Sequence, residues 1–207
     1  RGRAVSLLDG RLSIHFLGGG VSWTVPILFG ELFTAIRYRT LLVDPGGTRM
    51  RRSVRRHLRR LGATTPIEVI VPTHAHEEHC GNIELARQAT GARVLAHPRA
   101  IPLVRRPARI PFMRRLVIGQ PDATSPPIEP LGSTIRLGTA VDDEVEVIET
   151  PGHCADHVSY YIRREKVLLV GDAFMATHFT SPNDDVDHRA WIPALERLLA
   201  LDVDVMI

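Results

Sequence analysis

Histidine is the residue type that first suggests chemistry, because five of the ten histidines in this 207-residue sequence fall in two short segments. The first segment holds four potential ligands within six residues, His74, His76, Glu78 and His79. Imidazole nitrogens and carboxylate oxygens are ligands that Zn(II), Fe(II) and Mn(II) accept. Four such groups can serve two adjacent ions, and a polar loop with incidental histidines is the weaker interpretation.

Each group of candidate ligands follows an apolar stretch that is typical of a β-strand. The stretches, with the first ligand after each, are 68–71 with His74, 144–149 with His153 and 166–170 with Asp172. Alternate side chains of an extended segment share a face, so His74 and His76 point the same way. Ligands just beyond the carboxyl ends of strands converge in open sheets. The spacing therefore predicts one metal centre built from three separate segments.

The order and spacing of these groups resemble the metallo-β-lactamase superfamily. The motifs are His-x-His-x-Glu-His at 74–79, Thr-Pro-Gly-His at 150–153, Gly-Asp at 171–172 and an earlier Val-Asp-Pro-Gly at 43–46. Asp-Pro-Gly alone would carry no weight, but the four motifs together are specific. The resemblance spans about residues 12 to 207 and implies an α/β fold, a four-layer αββα sandwich with the metals at one edge between its two sheets.

The resemblance also implies which side chains bind which ion. The implied ligands are His74, His76 and His153 for a first ion, Glu78 and His79 for a second, and Asp172 as the bridge. Asp172 and Glu78 are the carboxylates expected to act in catalysis. Asp44 is expected to hold a ligand in position, which metal-bound histidines need, and His157 is expected to have a supporting or structural role beside the site.

Two departures from the family pattern affect the second ion. The family usually has Asp where this chain has Glu78, whose side chain is one methylene longer, so the position and affinity of that ion are open. The family's last ligand is a histidine soon after the final strand, and this sequence stops at Ile207. We therefore expect the chain to be truncated at its C-terminus, with that histidine beyond Ile207.

A cation at such a centre lowers the pKa of a bound water from 15.7 to about 7, which provides a hydroxide that can attack a carbonyl or phosphoryl group. The leading hypothesis is a metal-dependent hydrolase of a small-molecule thioester, lactone or related acyl bond, since the pattern resembles hydroxyacylglutathione hydrolases and lactonases. The expected cofactor is Zn²⁺, as one or two ions, with iron or manganese also acceptable to these ligands.

Three alternatives remain open from the sequence. The pattern Thr-Pro-Gly-His-x-x-Asp-His at 150–157 also resembles small β-lactamase-like endoribonucleases, and the Arg-rich segment 98–115 could contact RNA. A weakened second site would suit a mononuclear iron enzyme that resembles persulfide dioxygenases. A binding protein that kept the fold without catalysis would bind no metal.

Composition is ordinary for a globular chain, with 44% hydrophobic and 24% charged residues. We expect a single domain over 1–207, with residues 98–130 as an irregular cap because prolines interrupt them. No apolar run is long enough to span a membrane.

Two cysteines, Cys80 and Cys154, do not make a disulfide scaffold, which favours the cytoplasm. Of 26 basic residues only Lys166 is a lysine; this bias runs through the whole chain, so nucleic acid binding is not favoured. Oligomeric state is not readable.

The positioning elements follow from hydrophobic period and from Gly and Pro positions. Helices are expected at 49–61, 82–90 and 189–200. Strands are expected at 12–17, 24–29, 40–43, 68–71, 93–96, 134–137, 144–149, 157–163 and 166–170, and a further strand begins at 203–207.

Overall fold

The computed structural model describes residues 4–17, 33–62, 66–138, 143–174 and 185–207. The strands are β1 (Ala4–Leu7), β2 (Leu12–Phe16), β3 (Thr34–Tyr38), β4 (Leu41–Val43), β5 (Val69–Val71), β6 (Arg93–Ala96), β7 (Glu129–Pro130), β8 (Thr134–Arg136), β9 (Glu144–Glu149), β10 (Val158–Ile162), β11 (Val167–Leu169) and β12 (Val205–Met206). The helices are α1 (Arg51–Gly62), α2 (Glu77–Cys80), α3 (Ile83–Thr90), α4 (Ala100–Arg105), α5 (Phe112–Val117) and α6 (His188–Leu199).

The strands form two sheets. The first has the order β1-β2-β3-β4-β5-β6-β7 and is antiparallel up to β4 and parallel from β4 onward. The second has the order β12-β11-β10-β9-β8 and is antiparallel except for the β11–β12 pair. Parallel pairing of β4, β5 and β6 places their carboxyl ends at one edge, and the histidine segment follows β5 at that edge.

The two sheets pack face to face around the main apolar core. In β4, Leu41 and Val43 lie in this core together with Tyr160 and Leu169 of the second sheet. Leu42, between them in sequence, points to the outer face of the first sheet and packs in another cluster. This alternation is the two-residue period of a strand buried on both faces.

Helices cover both outer faces. Val54 and Leu58 of α1 and Ile83 of α3 pack on the first sheet, and Leu198 of α6 packs with Leu168 of the second. Each fully buried Leu or Ile stabilises the fold by roughly 1.5–3 kcal/mol. The layers are therefore helix, sheet, sheet and helix, which confirms the expected αββα sandwich.

The remaining predictions about elements vary in outcome. The strand expected at 24–29 lies outside the described residues, whereas β1, β3 and β7 were not anticipated. The segment 98–130 contains two short helices, α4 and α5, separated by a stretch without regular structure. Within the described ranges, no helix combines the length and the apolar character required to cross a lipid bilayer. The single-domain boundary, the cytoplasmic location and the oligomeric state stay predictions or open questions.

Candidate metal centre

Three segments bring the predicted ligands other than Glu78 together at the edge between the sheets. β5 ends at Val71, and the chain continues through Thr73 to His74 and His76 before α2 begins. His153 lies in the turn between β9 and β10, and Asp172 lies in a short 3-10 turn directly after β11.

Three imidazole nitrogens from two of these segments face one another. His74 Nε2 lies 2.9 Å from His76 Nδ1, and His153 Nε2 lies 3.1 Å from the same atom. Nitrogens that share a tetrahedral zinc ion at its usual bond length lie about 3.4 Å apart. His74 and His153 are buried. The donor set therefore fits a divalent ion, and the first group of expected ligands is brought together.

Asp44 fixes the tautomer of His74 through Thr73. The Thr73 hydroxyl donates to Asp44 Oδ2 at 2.9 Å, so Thr73 Oγ1 in turn accepts from His74 Nδ1–H at 3.0 Å. Nε2 of His74 consequently keeps its lone pair and faces the other two ring nitrogens. Burial holds the pKa of His74 well below its ordinary value, with further lowering by the neighbouring histidines, and this favours the neutral ligand form.

The same carboxylate orients His79. Asp44 Oδ2 accepts from His79 Nδ1 at 2.9 Å, while Asp44 Oδ1 accepts from the Thr73 backbone N–H at 2.7 Å. Asp44 has a φ of 51°, in the left-handed region that few non-glycine residues adopt. This strained, buried position lets one carboxylate set the tautomers of two expected ligands, which supports the role predicted for Asp44.

Asp172 lies between the two groups of expected ligands. Its Oδ1 is 3.2 Å from His79 Nε2 and its Oδ2 is 3.6 Å from His153 Nε2. Burial by itself raises the pKa of Asp172. The charge and hydrogen bond of His79, together with the charges of His153 and His157, outweigh burial, so the net pKa is lowered. Burial likewise opposes protonation of His79, but Asp172 and Asp44 hold its pKa well above the ordinary value. A cation between His79 and Asp172 would therefore displace a proton.

A buried chain of hydrogen bonds positions Asp172. The Asp172 backbone N–H donates to His157 Nε2 at 3.1 Å, so His157 Nδ1 carries the proton and donates to Thr150 Oγ1 at 2.7 Å. The Thr150 hydroxyl then donates to Ser159 Oγ at 3.1 Å, and Ser159 donates to the Val170 carbonyl at 3.2 Å. Burial is the main cause that lowers the pKa of His157 to about 3. His157 therefore supports the site as a neutral side chain.

Two further aspartates, for which the sequence predicted no ligand role, hydrogen-bond to the segment that carries His76. Asp185 Oδ2 lies 3.3 Å from His76 Nε2, which favours the proton on that nitrogen and leaves Nδ1 as the ligand atom. Asp156 accepts the Ala75 backbone N–H at 2.8 Å and so ties the loop of His153 to that of His76. Sequence offered no spacing signal for Asp185, which is 109 residues from His76.

Glu78 is placed differently from its expected role. Among the described residues, ligand atoms within 4.8 Å of one another form three groups, which are His74–His76–His153, His74–His79–Asp172 and His76–Cys154–Asp185. Glu78 belongs to none of them, and its carboxylate oxygens lie 3.3 and 3.4 Å from Arg114 Nη2. Its expected roles as a ligand of the second ion and in catalysis therefore stay predictions, and this arrangement does not reproduce them.

Both cysteines are buried free thiols. Burial, with nearby carboxylates, raises the pKa of Cys80 and of Cys154 above the ordinary thiol value. Neither is ionised at neutral pH, so neither offers a nucleophilic thiolate. Cys154 Sγ nevertheless lies within 4.8 Å of ligand atoms of His76 and Asp185, a proximity that the sequence did not suggest.

The sequence and fold agree with one family. Residues 38–207 match the description "Metallo-beta-lactamase superfamily", and the chain belongs to that superfamily. Among curated proteins, the hydroxyacylglutathione hydrolase of Methylobacterium sp. (strain 4-46) is 32% identical over 151 residues, covering 72% of this chain and 51% of that protein. The hydroxyacylglutathione hydrolase of Ectopseudomonas mendocina (strain ymp) is 33% identical over 141 residues, covering 68% of this chain and 44% of that protein. The chain thus spans about half the length of these relatives.

Solved structures share the fold. A protein crystallised in a di-iron-bound form superimposes with a TM-score of 0.65 at 25% identity, covering 81% of this chain and 79% of that one. The metallo-beta-lactamase from Pontibacter korlensis gives a TM-score of 0.66 at 20% identity, covering 96% and 85% of the two chains.

Proposed function

We propose that this chain carries the metal centre of a metal-dependent hydrolase that cleaves an acyl bond, with hydroxyacylglutathione as the first substrate to test. The observation that carries the proposal is the convergence of His74 Nε2, His76 Nδ1 and His153 Nε2 beside the Asp172 carboxylate. The names of relatives that are about 30% identical support the substrate class. A thioester, a lactone and related acyl bonds remain within the proposal.

The residues of this chain would divide the work as follows. His74, His76 and His153 would hold a divalent ion, which supplies a water of lowered pKa and a positive charge near the developing oxyanion. Asp172 is ionised because its pKa lies below the ordinary range, so it would accept a hydrogen bond from the attacking water and orient it. Such a carboxylate is a weak base, and its role here is orientation.

Zinc is the metal that we propose, because the first group offers three imidazole nitrogens, the donor set of several catalytic zinc sites. Iron and manganese accept the same donors, so metal analysis must measure all three. An RNA substrate and a persulfide substrate serve as the tests of the two alternative enzyme classes.

The deciding experiment compares His76→Ala with His188→Ala, a control at an exposed histidine of α6. Each protein is analysed for zinc, iron and manganese and assayed with hydroxyacylglutathione, a lactone, RNA and a thiol persulfide. We expect the first variant to lose both metal and thioester turnover while the control keeps both. Full metal content in His76→Ala would refute the centre, and salt-steep binding and cleavage of RNA would move the function to a nuclease.

A further inference from the structure

Arg114 is a charged residue of the cap that reaches the metal-binding loop. It lies on α5, and its Nε is 2.5 Å from Glu77 Oε1 while its Nη2 is 3.3 Å from Glu78 Oε2. We propose that Arg114 controls whether a second divalent ion binds, by holding the Glu78 carboxylate away from His79 and Asp172. This inference rests on the proposed metal centre and concerns only its second ion.

The guanidinium contacts both carboxylates. Glu77 is 6% exposed, so its charge needs a partner, and Arg114 supplies it. The guanidinium is a planar fork, and one arm reaches each of the two glutamates. Both oxygens of Glu78 face the same nitrogen, at 3.3 and 3.4 Å. Arg114 therefore already compensates the negative charge that would otherwise be available to a cation.

The second ion depends on Glu78 because the described residues offer little else. The group around Asp172 contains His79 and His74, but His74 Nε2 already faces His76 Nδ1 at 2.9 Å. Of the groups that the structure describes, His79 and Asp172 are then left for a second ion. Zinc sites in proteins hold three or four protein ligands, so an ion with these two alone would bind weakly. Release of Glu78 from Arg114 would add a third ligand.

A longer side chain extends the reach of this carboxylate toward Arg114. Glu has one methylene more than Asp, and Glu78 follows Glu77 at the start of α2. Two adjacent carboxylates at one helix end favour a cation between them, and the cap provides that cation as Arg114. The cap would thus act on metal content through a single side chain.

The test is a titration of the metal-free protein with Zn²⁺ against a chromogenic chelator, which yields a separate dissociation constant for each ion. The variants are Arg114→Gln, Glu78→Gln, the double variant, and Arg115→Gln as a matched control, because Arg115 lies over the Phe112 ring and contacts neither glutamate. We expect Arg114→Gln to lower the dissociation constant of the second Zn²⁺ about tenfold or more, which is the size of effect that a neighbour of a metal ligand can have on affinity. The dissociation constant of the first Zn²⁺ should not change, and Arg115→Gln should change neither constant. The double variant should lose the gain.

The outcomes separate this inference from the proposed function. An unchanged or weaker second step in Arg114→Gln, with the first step intact, would overturn the inference and leave the function standing. A gain that persists in the double variant would also overturn it, since the gain would then not pass through Glu78. Absence of the first step in the unmodified protein would overturn the metal centre itself. The first-step constant also reports whether each variant is folded.

Discussion

The most informative single substitution is Asp44→Asn, because one carboxylate sets the tautomers of two expected ligands. Asp44 Oδ2 accepts from the Thr73 hydroxyl at 2.9 Å and from His79 Nδ1 at 2.9 Å, and Oδ1 accepts from the Thr73 N–H at 2.7 Å. Asparagine keeps the shape and tolerates the φ of 51°. The amide oxygen of asparagine must accept from the Thr73 backbone N–H, as Oδ1 does now. The amide NH₂ group therefore takes the place of Oδ2, which accepted from His79 Nδ1 and the Thr73 hydroxyl.

The consequence propagates to both ligands. An NH₂ donor at Thr73 turns the threonine hydroxyl toward His74 Nδ1, which moves the His74 proton to Nε2, where the ion would bind. At His79, the NH₂ donor faces Nδ1, so the proton of His79 moves to Nε2, the nitrogen that would bind the ion. Partners of this kind change metal affinity by about 10- to 100-fold, which is about 1.4 to 2.7 kcal/mol. Because two ligands are affected, we expect Asp44→Asn to weaken zinc binding toward the upper figure.

The assay is zinc affinity by chelator competition, at mildly alkaline pH to limit the effect of the raised His79 pKa. Thr73→Val breaks only the link to His74 and should cause a smaller loss than Asp44→Asn. Asp122→Asn, which removes a carboxylate paired with Arg51, is the charge control and should bind as the unmodified protein does. Affinity of Asp44→Asn within threefold of the unmodified protein would refute the tautomer argument.

Three further predictions concern stability and are measured by urea unfolding of the metal-free protein. Thr150→Val leaves the buried N–H of His157 unpaired, so we expect a loss of about 1–3 kcal/mol; a loss below about 0.5 kcal/mol would contradict the hydrogen-bond chain. Gly152→Ala places a Cβ 2.3 Å from the Cβ of the tryptophan on α6, so we expect a loss of about 1–3 kcal/mol or more, whereas Gly132→Ala, which has open space, should change little. Burial and nearby positive charges lower the pKa of His57 to about 4, so the unfolded chain binds more protons between about pH 6.5 and pH 4. Stability should therefore fall by about 2 kcal/mol from pH 7 to pH 5 on account of this group, and His57→Gln should flatten that slope.

Fold elements that follow one simple period were predictable from the sequence. The strand at Leu41–Val43 and the helix with Val54 and Leu58 are examples, since burial on regular faces leaves a regular pattern. β3 was missed because its Arg37 is 7% exposed, which no apolar pattern anticipates. Arg37 is accommodated by long-range partners, including Ser13 Oγ at 3.3 Å, and such partners are invisible in a single sequence.

The candidate site likewise has features that local sequence spacing predicts and features that it does not. Short-range spacing predicted the ligands that a strand and a turn bring together, such as His74 and His76. Partners that depend on separate segments, such as Arg114 at 36 residues from Glu78, could not be predicted, because nothing local marks the pairing. The contact of Glu78 with Arg114 was not anticipated for this reason, since the turn after His76 can bring Glu78 toward the other ligands and the competing charge comes from the cap.

The two halves of the proposed centre therefore differ in preorganisation, and this difference predicts an order of binding. For the first ion, two of the three nitrogens have their tautomers fixed by neighbouring aspartates, Asp44 acting through Thr73 and Asp185 directly. For the second ion, His79 carries a proton that must leave, and the Glu78 carboxylate is paired with Arg114. Removing the proton of His79 and breaking the Glu78–Arg114 ion pair both cost free energy, which lowers the affinity for the second ion while the ligands stay the same. Occupancy of the second position should consequently depend on pH and on the cap, while the first should depend chiefly on the histidines themselves.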